Sequence, residues 1–180
     1  SARFAFMQIH TLLAVCLLAI PLDAQAPDPS AVTSYYNAVG EYFRVPSNEI
    51  MILSEWRLVA EEIPIVLYTA RQGGISPEAV VALRRAGHNW ATVARRYGLD
   101  AAKFHVPLEG SAGPLARVYQ EYRARPQAEW PTIDLLNGDV VGLVNLRVLS
   151  GVFRVRPGVV LRAHERAGSW VAAYRALARR

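Results

Sequence analysis

The chain has 180 residues, of which 52% are hydrophobic and 19% are charged, with 12 Gly, 11 Pro and a single Cys. This composition is typical of a compact globular protein and excludes a disordered chain, a multi-span membrane protein and a disulfide scaffold. The net charge of +5 falls entirely on residues 100–180, where twelve basic groups outnumber seven acids. It predicts a solvated face with a basic C-terminal tail, the functional alternative being attraction to an anionic partner.

The first 26 residues have the layout of a secretory signal peptide. The apolar stretch from residue 4 to residue 22 is followed by Ala24-Gln25-Ala26, so cleavage is expected after Ala24 or Ala26. The chain opens on Ser1, and Met7 is an alternative start. We therefore expect an exported protein, periplasmic or secreted. A buried N-terminal helix or an uncleaved membrane anchor are the alternatives.

Beyond residue 29 the hydrophobic periodicity is helical and predicts an all-α fold. The run 63–68 could be a buried strand by hydrophobicity alone, but Glu61 and Glu62 precede Pro64 as they would at a helix start. Ser76 and Pro77 give a stronger start signal. The predicted helices cover residues 30–43, 48–55, 63–73, 77–86, 90–97, 115–123, 139–153, 157–167 and 169–178.

The sequence also repeats itself at an interval of 80 residues. Pro77 precedes Trp90 by thirteen residues, and Pro157 precedes Trp170 by the same number. A third echo relates residues 42–46 to residues 152–157. The repetition predicts degenerate repeats of short helical hairpins stacked into one compact domain, with chance similarity as the alternative. The expected parts are an N-terminal half at 27–105, a Pro/Gly-rich connecting segment at 106–132 and a C-terminal half at 133–180.

Residues 83–104 resemble a helix-turn-helix, with Trp90 on the packing face of the first helix and Gly98 in the turn. The recognition helix would run over residues 101–106 and carries no Arg, Asn or Gln for bidentate base contacts, which argues against nucleic acid as the partner. Residues 90–104 are also similar to the helical part of the LysM module. That resemblance implies binding to peptidoglycan or chitin.

Signatures of catalysis are missing from the sequence. It has no His-Glu-x-x-His, no Gly-x-Ser-x-Gly and no phosphate-binding glycine loop, so we expect no catalytic set and no cofactor. The segment 134–139 lacks oxygen ligands at alternate positions, and His88, His105 and His164 are too far apart in sequence for a local metal site. An enzyme built from dispersed residues stays open.

Two further groups of residues have a functional and a structural interpretation. Glu61 and Glu62 could form an acid/base pair, but adjacent helical residues point about 100° apart, which favours a cap at a helix start. The four Trp residues are spread along the chain in a way that suits core anchors. The local motif nevertheless supplies the candidate partner-binding residues, which are Trp90, Arg95, Arg96, Tyr97, Lys103 and His105.

As a whole, residues 27–180 resemble a group of exported bacterial helical proteins of uncharacterised function, in the phrases at 63–67, 76–79, 90–98 and 141–150. The resemblance implies a location and a helical fold. We expect a non-catalytic helical module that binds an envelope protein or an anionic envelope polymer, or has a structural part in the cell envelope. Membrane contact is expected only through an uncleaved signal segment. The alternatives are a peptidoglycan-binding module and a helix-turn-helix DNA-binding protein.

Overall fold

The computed structural model describes residues 28–180, and the predicted signal peptide with Ala24 and Ala26 lies outside them. The described chain is all-α, with no strand between residues 28 and 180. Its helices are α1 (Pro29–Phe43), α2 (Ser47–Glu55), α3 (Ile63–Gly73), α4 (Pro77–Arg85), α5 (Trp90–Arg96), α6 (Ala101–Phe104), α7 (Ala116–Ala124), α8 (Asn137–Phe153), α9 (Pro157–Ala167) and α10 (Trp170–Ala178). Short 3-10 turns cover Ala60–Glu62, Gly113–Leu115 and Gln127–Thr132.

Five of the described helices, α1, α4, α5, α6 and α10, begin at a residue whose side chain accepts a hydrogen bond from the first turn. The Ser76 hydroxyl accepts a hydrogen bond from the backbone N–H of Ala79, and the side chain of Asn89 does the same for Thr92. These caps confirm the predicted starts of α4 and α5. The run 63–68 is helical, as the acids before Pro64 indicated. The three 3-10 turns were not predicted.

Helix α8 is the centre of the fold. It packs against α1, α3, α5, α6, α9 and α10. Most of its residues are buried on every side, including Val140, Leu143 and Leu146 at no exposure. A helix that is apolar around its circumference is stable only when it is surrounded. Six helices therefore surround α8, while α2 packs on α1 and α3, and α4 packs on α3 and α5.

Three helix-to-helix turns share one backbone form. Helices α1, α3 and α8 each end at a left-handed residue, Arg44, Gly74 and Arg154 respectively. The next residue in each turn is apolar and donates its N–H to a carbonyl five residues back, at distances of 2.9, 3.0 and 3.1 Å. This is the Schellman arrangement, which closes a helix and redirects the chain. Each turn leads directly into a following helix, namely α2, α4 and α9.

The Pro/Gly-rich segment at 106–132 is part of the core. Tyr119 and Tyr122 of α7 are buried, and their hydroxyls donate to the carbonyls of Val106 and Ala101 at 2.5 and 2.7 Å. Burial raises the pKa of Tyr119 to about 12, so its hydroxyl stays a donor. Leu115 reaches the same hydrophobic cluster. From residue 28 onward, no helix has both the length and the apolar character needed to cross a bilayer.

Candidate functional site

The adjacent carboxylates of Glu61 and Glu62 point in different directions and make separate sets of bonds. Glu62 is buried, and its Oε1 accepts hydrogen bonds from Arg84 Nη2 and Trp90 Nε1, both at 2.8 Å. Glu61 Oε1 accepts from the backbone N–H groups of Trp170 and Val171, at 2.5 and 3.1 Å. Glu61 therefore caps the start of α10, a helix more than a hundred residues away, and not the start of α3.

A buried amide side chain, that of Asn145, hydrogen-bonds to the backbone of Glu61. Asn145 of α8 has no exposed surface, and its Nδ2 donates to the carbonyls of Glu61 and Val141, both at 2.9 Å. Its Oδ1 accepts a hydrogen bond from the Tyr35 hydroxyl. Burial, and then the charge of Glu61, raise the pKa of Tyr35 well above its usual value, so this hydroxyl remains a donor. The network joins α1, α8 and α10 and has a structural role.

The structure separates the six candidate partner-binding residues. Trp90 has no exposed surface, so a partner cannot reach it in this conformation. Tyr97 is half-buried and packs against the core. Arg95 and Arg96 are exposed, and Arg95 forms a 3.0 Å salt bridge with Asp134. These residues do not converge on one pocket with the remaining two.

Arg95 lines a small cleft with a volume of ≈ 180 Å³ between α5 and the segment before α8. Lys103 is exposed, and its backbone carbonyl accepts from the Tyr68 hydroxyl at 2.6 Å. Helix α6 is one turn long, over Ala101–Phe104. So short a second helix presents few side chains along a DNA groove, which agrees with the sequence argument against a recognition helix.

His105 lies at a much larger groove, with a volume of ≈ 740 Å³, between the chain after α6 and the first turns of α9. One wall is formed by His105, Pro107, Leu108 and Glu109, and the other by Arg156, Pro157, Gly158, Val159 and Arg162. We call this the α9 groove. A volume of this order is in the range of small-molecule binding sites, about 300–1,000 Å³. It is the strongest candidate for a functional site in the described chain.

The imidazole of His105 is held against an aromatic cluster at one wall of the α9 groove. Its ring centre lies 4.2 Å from that of Trp130 and 4.7 Å from that of Tyr122. Arg147 Nη2 donates to the His105 carbonyl at 2.8 Å and fixes the backbone. Burial, and then the charge of Arg147, lower the pKa of His105, so the ring is neutral at pH 7.

The opposite wall carries the positive charge. Arg156 comes directly before α9, and Arg162 lies within it. A Cβ built at Gly158 would lie 3.5 Å from Arg162 Nη1 and 4.0 Å from the Glu109 carbonyl. The Arg162 guanidinium therefore lies beside Gly158, in the first turn of α9. Glu109 is the single acid of the lining.

Sequence reasoning found His105 but missed Arg156 and Arg162. The sequence feature that pointed to these two arginines was the excess of positive charge in residues 100–180. The sequence alone does not show which of these charges share one surface. Within residues 28–180, no cluster of three or more His, Cys, Asp or Glu side chains is arranged to hold a metal ion. The site is thus defined by a fold of packed helices and a groove with two arginines.

No protein-family model, curated protein or solved structure matches this chain. What the chain does must therefore be inferred from its own residues.

Two histidines should make the free energy of unfolding fall in mild acid, because their folded environments disfavour protonation. Burial is the main cause that lowers the pKa of both His105 and His164 below 6.5. Since the folded pKa values lie below the unfolded one, this stability is present above about pH 6.5 and is lost as the pH falls through the folded values. Urea unfolding measures the free energy of unfolding at pH 7.5 and at pH 5.0. This free energy should decrease from pH 7.5 to pH 5.0 in the wild type, and should decrease less in H105Q/H164Q. Equal decreases in the two proteins would contradict this assignment.

Proposed function

We propose that this chain is an exported, non-catalytic helical module that binds an anionic polymer of the cell envelope through its basic C-terminal half. The observation that carries the proposal is the α9 groove, which presents Arg156 and Arg162 with apolar walls around them. The groove lies within residues 100–180, the part of the chain with a net charge of +5.

Three acids that contact other helices have structural roles, which is in keeping with a non-catalytic module. Glu61 caps α10, Glu62 binds Arg84 and Trp90, and Asp139 pairs with Arg117. Each carboxylate accepts hydrogen bonds that hold helices together, which is a structural task. A carboxylate engaged in this way is poorly placed for proton transfer to a substrate.

The module is proposed to have arisen by duplication of a helical hairpin. The shared Schellman turns after α1, α3 and α8 support this idea. Two positions 80 residues apart also behave alike: the Arg84 guanidinium lies over the Trp90 ring, and His164 stacks on Trp170 with ring centres 4.0 Å apart. In each case a side chain near the end of one helix covers the tryptophan that starts the next.

The location is tested by fractionating the host cell and determining the mature N-terminus by mass spectrometry. We expect a periplasmic or secreted protein that begins just after Ala24 or Ala26, because the apolar run before them has the layout of a signal peptide. A full-length chain recovered from the cytoplasm would contradict the export proposal.

The binding role is tested by sedimenting the protein recovered from the host with purified peptidoglycan. We expect it to be retained in the pellet at low salt and released as the salt concentration rises, because the contact depends on charge. Duplex DNA serves as the control polymer. A steep negative dependence of DNA affinity on salt, with no retention by peptidoglycan, would replace this proposal by DNA binding.

A further inference from the structure

Arg156 and Arg162 line the same concave surface, the α9 groove. In the described residues, five arginines form salt bridges with acids, namely Arg84, Arg95, Arg117, Arg125 and Arg175. Arg156 and Arg162 form no salt bridge within residues 28–180, although both line a concave surface. An oxyanion in the groove would be attracted by the positive charge of both guanidinium groups.

The chemistry of the walls limits what can bind. A guanidinium offers planar, paired N–H donors that match a carboxylate or a phosphate. Pro107, Leu108, Pro157 and Val159 supply apolar surface beside these donors. His105, whose ring packs on Trp130 and Tyr122, also lines the groove. A ligand that matches both the guanidinium donors and the apolar side chains carries an oxyanion attached to a group with apolar faces. A sugar ring and a short peptide are such groups.

We propose that the α9 groove binds an oxyanion group, a carboxylate or a phosphate, of an envelope glycan or its peptide stem, between Arg156 and Arg162. The proposal rests on the binding function proposed above and assigns it to one site. Glu109 at the rim opposes the bound anion, so its charge limits the affinity. The ligand body lies against Pro107 and Leu108.

The groove can be changed without disturbing the core. Arg162 is exposed, so Arg162→Ala removes a guanidinium from the wall and little packing. At Gly158 a new Cβ meets only ordinary contacts, at 3.5 Å or more, so Gly158→Glu can be built there. This position is in the first turn of α9, where an acid is favourable for the helix. Arg85→Ala, on exposed surface of α4, is the control with the same change in net charge.

The test is a titration of the protein followed by amide NMR, with two probes in separate arms. The probes are a soluble muramyl peptide, which supplies carboxylates, and inorganic phosphate. We expect saturable shifts of the Gly158 and Val159 amides with at least one probe. Arg162→Ala should weaken that binding about tenfold or more, as expected for loss of a charge-assisted hydrogen bond. Gly158→Glu should abolish binding, Arg85→Ala should leave it unchanged, and Glu109→Gln should strengthen it.

The outcomes separate the site from the function. Peptidoglycan could retain the wild type, Arg162→Ala and Gly158→Glu alike, while the probes cause no shift at Gly158 of the wild type. That result would overturn the site and leave the binding function. Saturable shifts at Gly158 with phosphate, and no retention by peptidoglycan, would support an oxyanion site and overturn the envelope polymer as its source. Equal binding of either probe to wild type and Gly158→Glu would overturn the inference. Amide spectra of each variant without probe establish that it is folded.

Discussion

Replacing Trp90 with alanine should lower the free energy of unfolding by about 4 kcal/mol, as for other fully buried aromatic residues. The indole has no exposed surface, and its Nε1 donates to Glu62 Oε1 at 2.8 Å. The Arg84 guanidinium covers the ring at 5.6 Å from its centre. Alanine would leave a cavity at the start of α5 and remove one of the bonds of a buried carboxylate. Urea denaturation of the two proteins at pH 7.5 measures the difference.

Two matched variants identify the cause of the loss. Trp90→Phe keeps most of the apolar volume but removes the N–H donor, and should cost about 1–2 kcal/mol. Trp130→Ala changes a half-buried indole and should cost less than Trp90→Ala. If Trp90→Ala kept full stability but lost binding to peptidoglycan, Trp90 would be a ligand residue after all. We expect Trp90→Phe to be folded and to bind as the wild type does.

The helices of this protein could be predicted because the information for each is local. Ser76 and Asn89 sit directly at the starts that they cap, and Gly74 and Gly98 adopt the left-handed backbone that ends or redirects a helix. Apolar residues spaced at helical intervals mark the inner faces between those points. The all-α class follows from such signals without any knowledge of long-range contacts.

The contacts that join the helices could not be predicted from the same signals. A capping acid is expected near the helix that it caps, but Glu61 caps α10 because the fold brings that helix start to it. In the sequence, Asn145 is a polar residue within a mostly apolar helix. Its hydrogen-bond partners, Tyr35 and Glu61, lie far away along the chain. Pairings of this kind depend on which helices pack together, and a single sequence carries no record of that.

The candidate site shows the same limit. His105 was selected from a local motif, and the structure places it in a groove whose other wall comes from α9, some fifty residues later. Arg156 was recognised only as part of a repeat and as one of many positive charges. The net charge of residues 100–180 left an anionic partner as one interpretation. Only folding brings Arg156 and Arg162, which form no salt bridge within residues 28–180, onto one concave surface.

Asn145→Leu should destabilise the protein by about 3 kcal/mol, because two buried groups lose their partner at once. The Tyr35 hydroxyl would be left without its acceptor, and the Glu61 carbonyl without the Asn145 Nδ2 donor. Leucine has the same number of side-chain heavy atoms and the same branching, so it leaves no cavity and the effect reports mainly the lost hydrogen bonds. Ser150→Ala is the control in the same helix, since the Ser150 hydroxyl has no hydrogen-bond partner within residues 28–180. Since it removes a buried hydroxyl without a partner, it should leave stability unchanged or raise it by about 1 kcal/mol, in contrast to the loss from Asn145→Leu.

A double-mutant cycle with Tyr35→Phe then separates the network from its parts. In the wild-type background Tyr35→Phe removes a donor from Asn145 and should cost about 1–2 kcal/mol. In the Asn145→Leu background the same change removes an orphaned hydroxyl, so it should cost less or restore stability. The expected coupling is about 1–2 kcal/mol. Additive effects would show that Tyr35 and Asn145 act independently, and that the link between α1 and α8 depends on apolar packing alone.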